Sequence, residues 1–465
     1  MSHSYFAQHC AATLRRRYTL WSPGPLRFGL RIWLLLLSIA TSGIANAGQL
    51  GDNRLHADDL VKQVLSANAG LAAMRSAVDA AESRIEPAGA LPDPRLRVTT
   101  APRTFDGFTT PAGEDRGISG VIELSQEVPW PGTLGLRADA ARREAAAVGD
   151  GVEVMRLQLE ARTRAYYAQW AYVHRALEIN AANQDLVDEL RRIAENRYAA
   201  GLARQQDVLQ AEVELQRLKK QALVFARLQD AVSARLNALL NRDADRPLPP
   251  PANLPGPRNL PAYTTLRDAA LRQHPELARM DKLLAANQAR EGLAEKAFYP
   301  DLNLIVRNND YRPASETRSE FGLSINLPLD RSKRRAALDA AKADSMRLRY
   351  ELEDTRARLL ADLREASTDT RKAAETIVLY ENELIPRTRE NLSAARSEYG
   401  SGGGAFLDVI TAEQLKLEAE LELESARADY HTALAELKRW TGGELPAVAT
   451  TPKNTDSPQV QHEKP

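Results

Sequence analysis

Four short stretches of this chain alternate between apolar and polar residues. In the first, Leu96 and Val98 alternate with Arg95, Arg97 and Thr99; in the second, Ile118, Ile122 and Leu124 alternate with Ser119, Glu123, Ser125 and Glu127, with Val121 out of step. In the third, Leu302, Leu304 and Val306 alternate with Asp301, Asn303 and Arg307; in the fourth, Phe321, Leu323, Ile325 and Leu327 alternate with Glu320, Gly322, Ser324 and Asn326. A period of two with one apolar and one polar face predicts β-strands lying between two different solvents. All four polar faces carry charge. A small antiparallel sheet covering a helix is the plainer reading of the alternation.

The rest of the pattern is helical. The tract from Gly132 to Tyr198 has no proline and predicts a helix of about 100 Å at 1.5 Å per residue. Its counterpart from Arg331 to Tyr399 contains Pro386, which should kink or break it. After each tract, steps of three and four trace a coiled-coil stripe. The first visits Val208, Ala211, Leu215, Leu218, Ala222, Phe225, Gln229, Val232, Leu236 and Leu239; the second visits Val409, Ala412, Lys416, Ala419, Leu423, Ala426, Tyr430, Ala433, Leu437 and Trp440. A stripe held over about four heptads argues for packed long helices.

The chain also says the same thing twice. Tyr198-Ala-Ala-Gly201, then Asp207-Val-Leu209 and Ala211-Glu212, recurs as Tyr399-Gly-Ser-Gly402, Asp408-Val-Ile410 and Ala412-Glu413, at a constant offset of 201. At an offset of 206, Leu60, Leu65, Leu71, Met74 and Pro94 fall on Leu266, Leu271, Leu277, Met280 and Pro300. Such self-similarity marks a duplicated architecture. Each half reads helix, two strands, long helix, turn, helix. The first half spans 48–245, with strands near 94–102 and 117–129 and a hairpin tip near 201. The second spans 263–445, with strands near 301–311 and 317–328 and a tip near 402. The loop from Pro102 to Gly117 is longer than its counterpart around Tyr311 to Glu316. Residues 246–262 form a proline-rich, stiff linker, and 446–465 a polar tail expected to be disordered.

Formal net charge is +0 over 465 residues, so nothing points to nucleic acid. The first 47 residues hold five arginines and no acid; without them 57 basic and 62 acidic residues remain, a net of −5. Ile32 to Ala40 is apolar over about nine residues, short of the ~20 that span a bilayer. Arginines precede it and Ala45-Asn46-Ala47 follows, so 1–47 is expected to be a signal peptide cleaved near Ala47/Gly48. Cys10, the sole cysteine, lies in that segment; no thiol chemistry and no lipidation is expected of the mature chain. An exported chain without a long apolar helix can enter a membrane only as β-strands. Four strands are too few to close a barrel, which needs about eight, so several copies are expected to pool theirs in a cyclic oligomer.

Enzymatic and metal signatures are missing. The seven histidines, His3, His9, His56, His174, His274, His431 and His462, form no His-x-His or His-x-x-x-His pair, and the methionines are singly spaced. No phosphate loop, nucleophile elbow or zinc-protease motif occurs. The expectation is a protein with no cofactor that is not an enzyme.

The duplicated halves, the paired Tyr-x-x-Gly…Asp-Val-(Leu/Ile)…Ala-Glu turns, Leu91-Pro-Asp-Pro94 and Gln126-Glu-Val-Pro-Trp-Pro-Gly132 together resemble the TolC-like outer membrane factors. The last two motifs are most similar to the branch serving heavy-metal cation efflux, of the cobalt–zinc–cadmium type. The resemblance implies a mainly α fold with a membrane β-barrel contribution. In a homotrimer, four strands per protomer would make a 12-stranded barrel in outer membrane lipid, and the long helices an α-barrel in the periplasm. It implies a periplasmic adaptor and an inner membrane pump, here of the RND type, as partners. The turns at Tyr198, Gly201 and Gly402 would be the tips where the adaptor docks. The family links the tyrosine of the second turn to an acid of the first, here Tyr399 and Asp207; a phenol–carboxylate bond contributes about 1.5–3 kcal/mol. Asp408 falls on a position whose carboxylates ring the constriction and attract cations. The plainer alternative is that Asp207 and Asp408 only complement helix dipoles. Gly404 and Thr411 stand where the family prototype has a gate arginine and a second ring acid, so Arg204 is a substitute candidate for holding the closed state. The Gly402-Gly403-Gly404 run suggests a pliable second tip. Alternatives are a duct for drug efflux or type I secretion and, in a different class, a periplasmic adaptor or coiled-coil scaffold without a pore.

Overall fold

The computed structural model describes residues 54–102, 118–309 and 319–447. The expected leader, the tips of the two strand-connecting loops and the tail beyond 447 fall outside these residues. In chain order the elements are helices α1 (Ala57–Ala67), α2 (Ala69–Ser83) and α3 (Ile85–Gly89), strands β1 (Arg95–Pro102) and β2 (Ile118–Val128), and helices α4 (Thr133–Ala199) and α5 (Gln205–Leu239). The second half runs α6 (Tyr263–Gln273), α7 (Pro275–Lys296), β3 (Leu302–Asn309), β4 (Ser319–Ile325), α8 (Arg331–Leu379), α9 (Ile385–Ser401) and α10 (Phe406–Thr441).

The leading helix of each half is broken at the same repeat position. Asn68 ends α1 and caps α2 by accepting from the Leu71 amide at 3.1 Å; His274 ends α6 and its Nδ1 accepts from the Glu276 amide at 3.2 Å. Both sit near φ −70° and ψ 120°, the extended geometry of a helix N-cap.

The four strands form one antiparallel sheet in the order β1-β2-β3-β4. Its register gathers the charges into a row: Arg97 lies opposite Glu123, Glu123 opposite Arg307, and Arg307 opposite Glu320. Glu123 is nearly buried beneath its neighbours; Arg307 donates to it from Nη2 at 2.6 Å, and Arg97 lies 3.7 Å away. The opposite face sets Leu96, Leu124, Val306 and Phe321 side by side. Among the described residues nothing covers this apolar face, and Phe321 is 86% exposed. No helix among the described residues is long and apolar enough to cross a membrane.

The strand-to-helix passage is pinned where prolines stop the ladder. β2 ends at Val128, Pro129 is buried, and Gly132 takes φ 89° just before α4. The Trp130 amide donates to Asp301 Oδ1 at 2.9 Å, and the Trp130 ring stacks on Tyr299 at 4.9 Å. Gln126 donates to the Pro92 carbonyl at 2.8 Å. The two residue runs singled out in the sequence thus lock the sheet onto the helices.

α4 is a single helix of 67 residues, about 100 Å long. The counterpart tract is not broken at Pro386. It continues from α8 through a π-helical segment, Tyr380–Leu384, into α9. Proline displaces the carbonyl four residues before it, and one wider turn absorbs the ring without ending the helix. The long helices lie side by side as α5, α4, α10 and then α8–α9. Both stripes face this packing. Their polar members are satisfied: Gln229 meets His174 Nε2 at 3.1 Å, and Lys416 reaches Glu420 at 2.8 Å. α10 is buried on two sides because it lies between α4 and α8, and it buries 16 residues where α5, its counterpart, buries 8.

The proline-rich linker is strapped to the helices. Trp170 donates to the Pro249 carbonyl at 3.1 Å, Tyr167 to the Ala252 carbonyl at 3.2 Å, and the Arg258 amide donates to Tyr430 Oη at 3.0 Å.

Candidate functional site: the paired helical tips

Both hairpins turn through the same hydrogen-bond pattern. At the first tip the Leu202 amide donates to the Arg197 carbonyl at 2.8 Å and the Gly201 amide to Tyr198 at 2.9 Å. At the second the Gly403 amide donates to Glu398 at 3.0 Å and the Gly402 amide to Tyr399 at 3.2 Å. These are Schellman ends, which place one residue in the left-handed region; Gly201 takes φ 72° and Gly402 φ 86°. Two members of the glycine run are required by geometry: Gly402 by its positive φ, and Gly404 because a Cβ there would sit 3.0 Å from Glu398 Cβ and 3.2 Å from the Tyr399 nitrogen. The second tip is tightly wound for that reason.

Asp207 and Asp408 occupy the first turns of α5 and α10, and neither helix has a side-chain cap. That position suits the helix dipole. The two acids then differ. Asp207 turns toward the second hairpin, where Tyr399 Oη donates to its Oδ2 at 3.4 Å, long for an O–H···O bond. Asp408 is exposed. Tyr399 is 5% exposed, packed edge-on against Phe406 at 5.2 Å. Its burial, with the charge of Asp207 beside it, pushes the phenol above its ordinary range, so it stays a donor at physiological pH. Tyr198 is about half exposed and Arg204 is exposed. Arg204 makes no ion pair among the described residues.

Sequence reasoning missed Arg197. It lies in the last turn of α4, its guanidinium 4.8 Å from the Tyr399 ring centroid, and its Nη1 donates to the Gly400 carbonyl at 2.8 Å. One turn earlier, Arg396 of the second hairpin reaches Glu189 of the first at 3.0 Å. Further up, Gln414 donates to Glu214 Oε2 at 2.7 Å. Lys416 to Asn183 at 3.3 Å and Arg175 to Glu424 at 3.6 Å continue the series, so the two hairpins are tied at several levels, of which only the Tyr399–Asp207 level belonged to the paired motif.

Comparison with known proteins places this architecture. The curated relatives include the alkaline protease secretion protein AprF of Pseudomonas aeruginosa, 25% identical over 65% of this chain and 68% of AprF. CyaE of Bordetella pertussis is 30% identical over 50% of this chain and 52% of CyaE. Among solved structures, the outer-membrane channel OprN covers 83% of this chain and 90% of its own, with a TM-score of 0.73 at 22% identity. The outer membrane protein VceC of Vibrio cholerae covers 83% and 96%, with a TM-score of 0.71 at 18% identity. The profile described as "Outer membrane efflux protein" matches twice, over 60–242 and 266–443. The chain belongs to the outer membrane efflux protein family, whose members are outer membrane channels and not enzymes.

Proposed function

We propose that the protein is the exit duct of a tripartite efflux system exporting heavy-metal cations. Three copies pool their strands into a 12-stranded barrel in outer membrane lipid, and their helices continue as an α-barrel through the periplasm. An adaptor docks at the turns around Tyr198, Gly201 and Gly402, and an inner membrane RND pump drives export. The leader is removed near Ala47/Gly48, and the mature chain carries no lipid.

The observation that carries the duct is the open four-stranded sheet, apolar on one face and charged on the other, mounted on helices of about 100 Å. A second observation supports the ring. The helical layer ends in α5 on one side and α8–α9 on the other. Both edges expose apolar side chains, Leu209, Val213 and Leu223 on the first and Tyr350, Val378 and Leu379 on the second. Cyclic assembly would bury one edge against the other.

The gate reading rests on Asp207 and Tyr399, with Arg204 free to reach a neighbouring protomer and Asp408 exposed where three copies would ring the axis. Metal cargo rests on the likeness of Leu91–Pro94 and Gln126–Gly132 to the metal branch. The similarity to AprF, named for alkaline protease secretion, favours a second reading, a duct for protein secretion. Trimers extracted from outer membranes and assayed for conductance in planar bilayers test the duct; a monomer without conductance overturns it. A deletion strain challenged with zinc, cobalt, cadmium and organic drugs, with its secreted proteins profiled, tests the cargo. Unchanged metal tolerance with a lost secreted protein selects the second reading.

A further inference from the structure

Two turns into α10, Glu413 is fully buried, 0% exposed, and neither carboxyl oxygen has a hydrogen-bond partner. Among the described residues no other acid has both oxygens buried and unpartnered. Its repeat counterpart, Glu212, is exposed. The same Ala-Glu pair is thus solvated in one hairpin and sealed in the other.

Its surroundings explain why it stays unpaired. From α5, Glu214 faces it, 3% exposed, but Arg217 of the same helix is committed to Glu214 at 2.7 Å. From α10, Lys416 is committed to Glu420 at 2.8 Å and touches Asn183 of α4 at 3.3 Å. Glu420 is also met by Arg389 of α9 at 3.3 Å. The acids toward the tip end of α4 are ion-paired: Asp188 with Arg191 and Arg192, Glu189 with Arg396, and Glu195 with Arg191. The two cations that act on it, Arg217 and Lys416, each have a carboxylate already. An unpaired charge in such a place is costly, and the group neutralises instead.

We propose that Glu413 is a proton-operated latch between the two hairpins of a protomer. As a neutral acid it lets α10 pack against α4 and α5. As a carboxylate facing Glu214 with no cation of its own, it drives that seam toward a hydrated, parted state. The Glu214–Gln414 contact, which bridges the hairpins one residue away, is the tie it loosens. Burial first, and the charge of Glu214 second, push the Glu413 carboxyl up to about 7 from an ordinary 4.5. Packing is therefore fully supported below about 4.5, weakens as pH rises from 4.5 to about 7, and is constant above that. In the duct, on whose tip-gate reading the consequence for conductance rests, acid favours the closed seam and neutral pH releases it.

The test uses the mature trimer in planar bilayers across that window, with wild type, Glu413→Gln and Tyr399→Phe compared. The wild type should gain conductance several-fold as pH rises from about 4.5 to about 7, while E413Q stays flat at the acid level. An E413Q channel that keeps the wild-type pH profile overturns the latch. A Tyr399→Phe channel unchanged in conductance but still following pH overturns the tip gate and supports the latch. A second measurement needs no Glu413 variant. Spin labels on Gln206→Cys and Ser401→Cys, both exposed, read the separation of the two tips. The distance should lengthen as pH rises, and a distance constant across the window overturns the proposal.

Discussion

Arg197 of the first hairpin covers the ring of Tyr399 in the second, 4.8 Å from its centroid, and donates to the Gly400 carbonyl at 2.8 Å. That carbonyl belongs to the last turn of α9, where no helical partner is left for it. One side chain thus supplies a hydrogen bond to a helix end and a cation to an aromatic face. The Tyr399–Asp207 bond beside it is longer, at 3.4 Å.

The relative strengths follow. Arg197→Ala removes a charged donor and a cation–π contact, together about 2 kcal/mol, or roughly a thirtyfold shift between closed and parted tips. Tyr399→Phe keeps the ring, its Phe406 contact and its Arg197 contact, and loses a long bond of about 0.5–1 kcal/mol. Single-channel open probability should therefore rise more in Arg197→Ala than in Tyr399→Phe, with Arg197→Lys between them because a lysine cannot reproduce the planar fork. The reverse order would show that the phenol–carboxylate bond holds the tips.

The exposed apolar face of the sheet makes a second prediction. Phe321 and Ser324 lie on the same strand with opposite orientation. Phe321→Arg puts a charge into lipid, at a cost of up to about 2–4 kcal/mol, whereas Ser324→Arg faces the polar side. Heat-modifiable oligomer in outer membranes should fall sharply in the first and stay near wild type in the second. Equal yields would mean that the face carrying Phe321 is not the lipid face.

On the polar side, Glu123 is shared by Arg97 and Arg307 across three strands. Glu123→Gln removes the carboxylate that two arginines per protomer share, leaving Arg307 only Glu320 across the next strand. The bilayer reversal potential under a salt gradient should move toward anion selectivity. An unmoved potential would place this row away from the conduction path.

The strands and long helices were legible because each rests on a local rule. Leu96 to Thr99 and Leu302 to Arg307 alternate with a period of two, and Gly132 to Tyr198 has no proline to stop a helix. The contacts that decide the tips were not legible for a physical reason. Arg197 meets Tyr399 and Gly400 about 200 residues away, and in sequence it is one arginine among many on long solvated helices. Glu212 and Glu413 hold identical motif positions, yet only the second is buried, because α10 lies between α4 and α8 while α5 flanks α4 on an open edge. Pro386 marks a disturbance in the tract, but proline alone does not distinguish a break from the π-helical turn that absorbs it.

His274 offers a prediction with a defined sign. It is 5% exposed, its Nδ1 accepts from the Glu276 amide at 3.2 Å, and its ring lies 6.1 Å from Trp440. Burial, the largest cause, lowers its pKa from 6.5 to about 4. The folded state thus holds the imidazole neutral where the unfolded chain would protonate it. Stability from this group is fully present above about 6.5, falls as pH drops toward about 4, and is constant below that. The total loss is about 3 kcal/mol. Asn68 performs the same capping task at the equivalent position of the first repeat, accepting from the Leu71 amide, so Asn is a suitable replacement. His274→Asn should cost a constant amount for the lost Trp440 contact at every pH. It should also remove the acid-side decline that the wild type shows between about 6.5 and 4. Thermal melts of wild type and variant across that range measure the difference, and parallel curves would mean that His274 is protonated without cost in the folded protein.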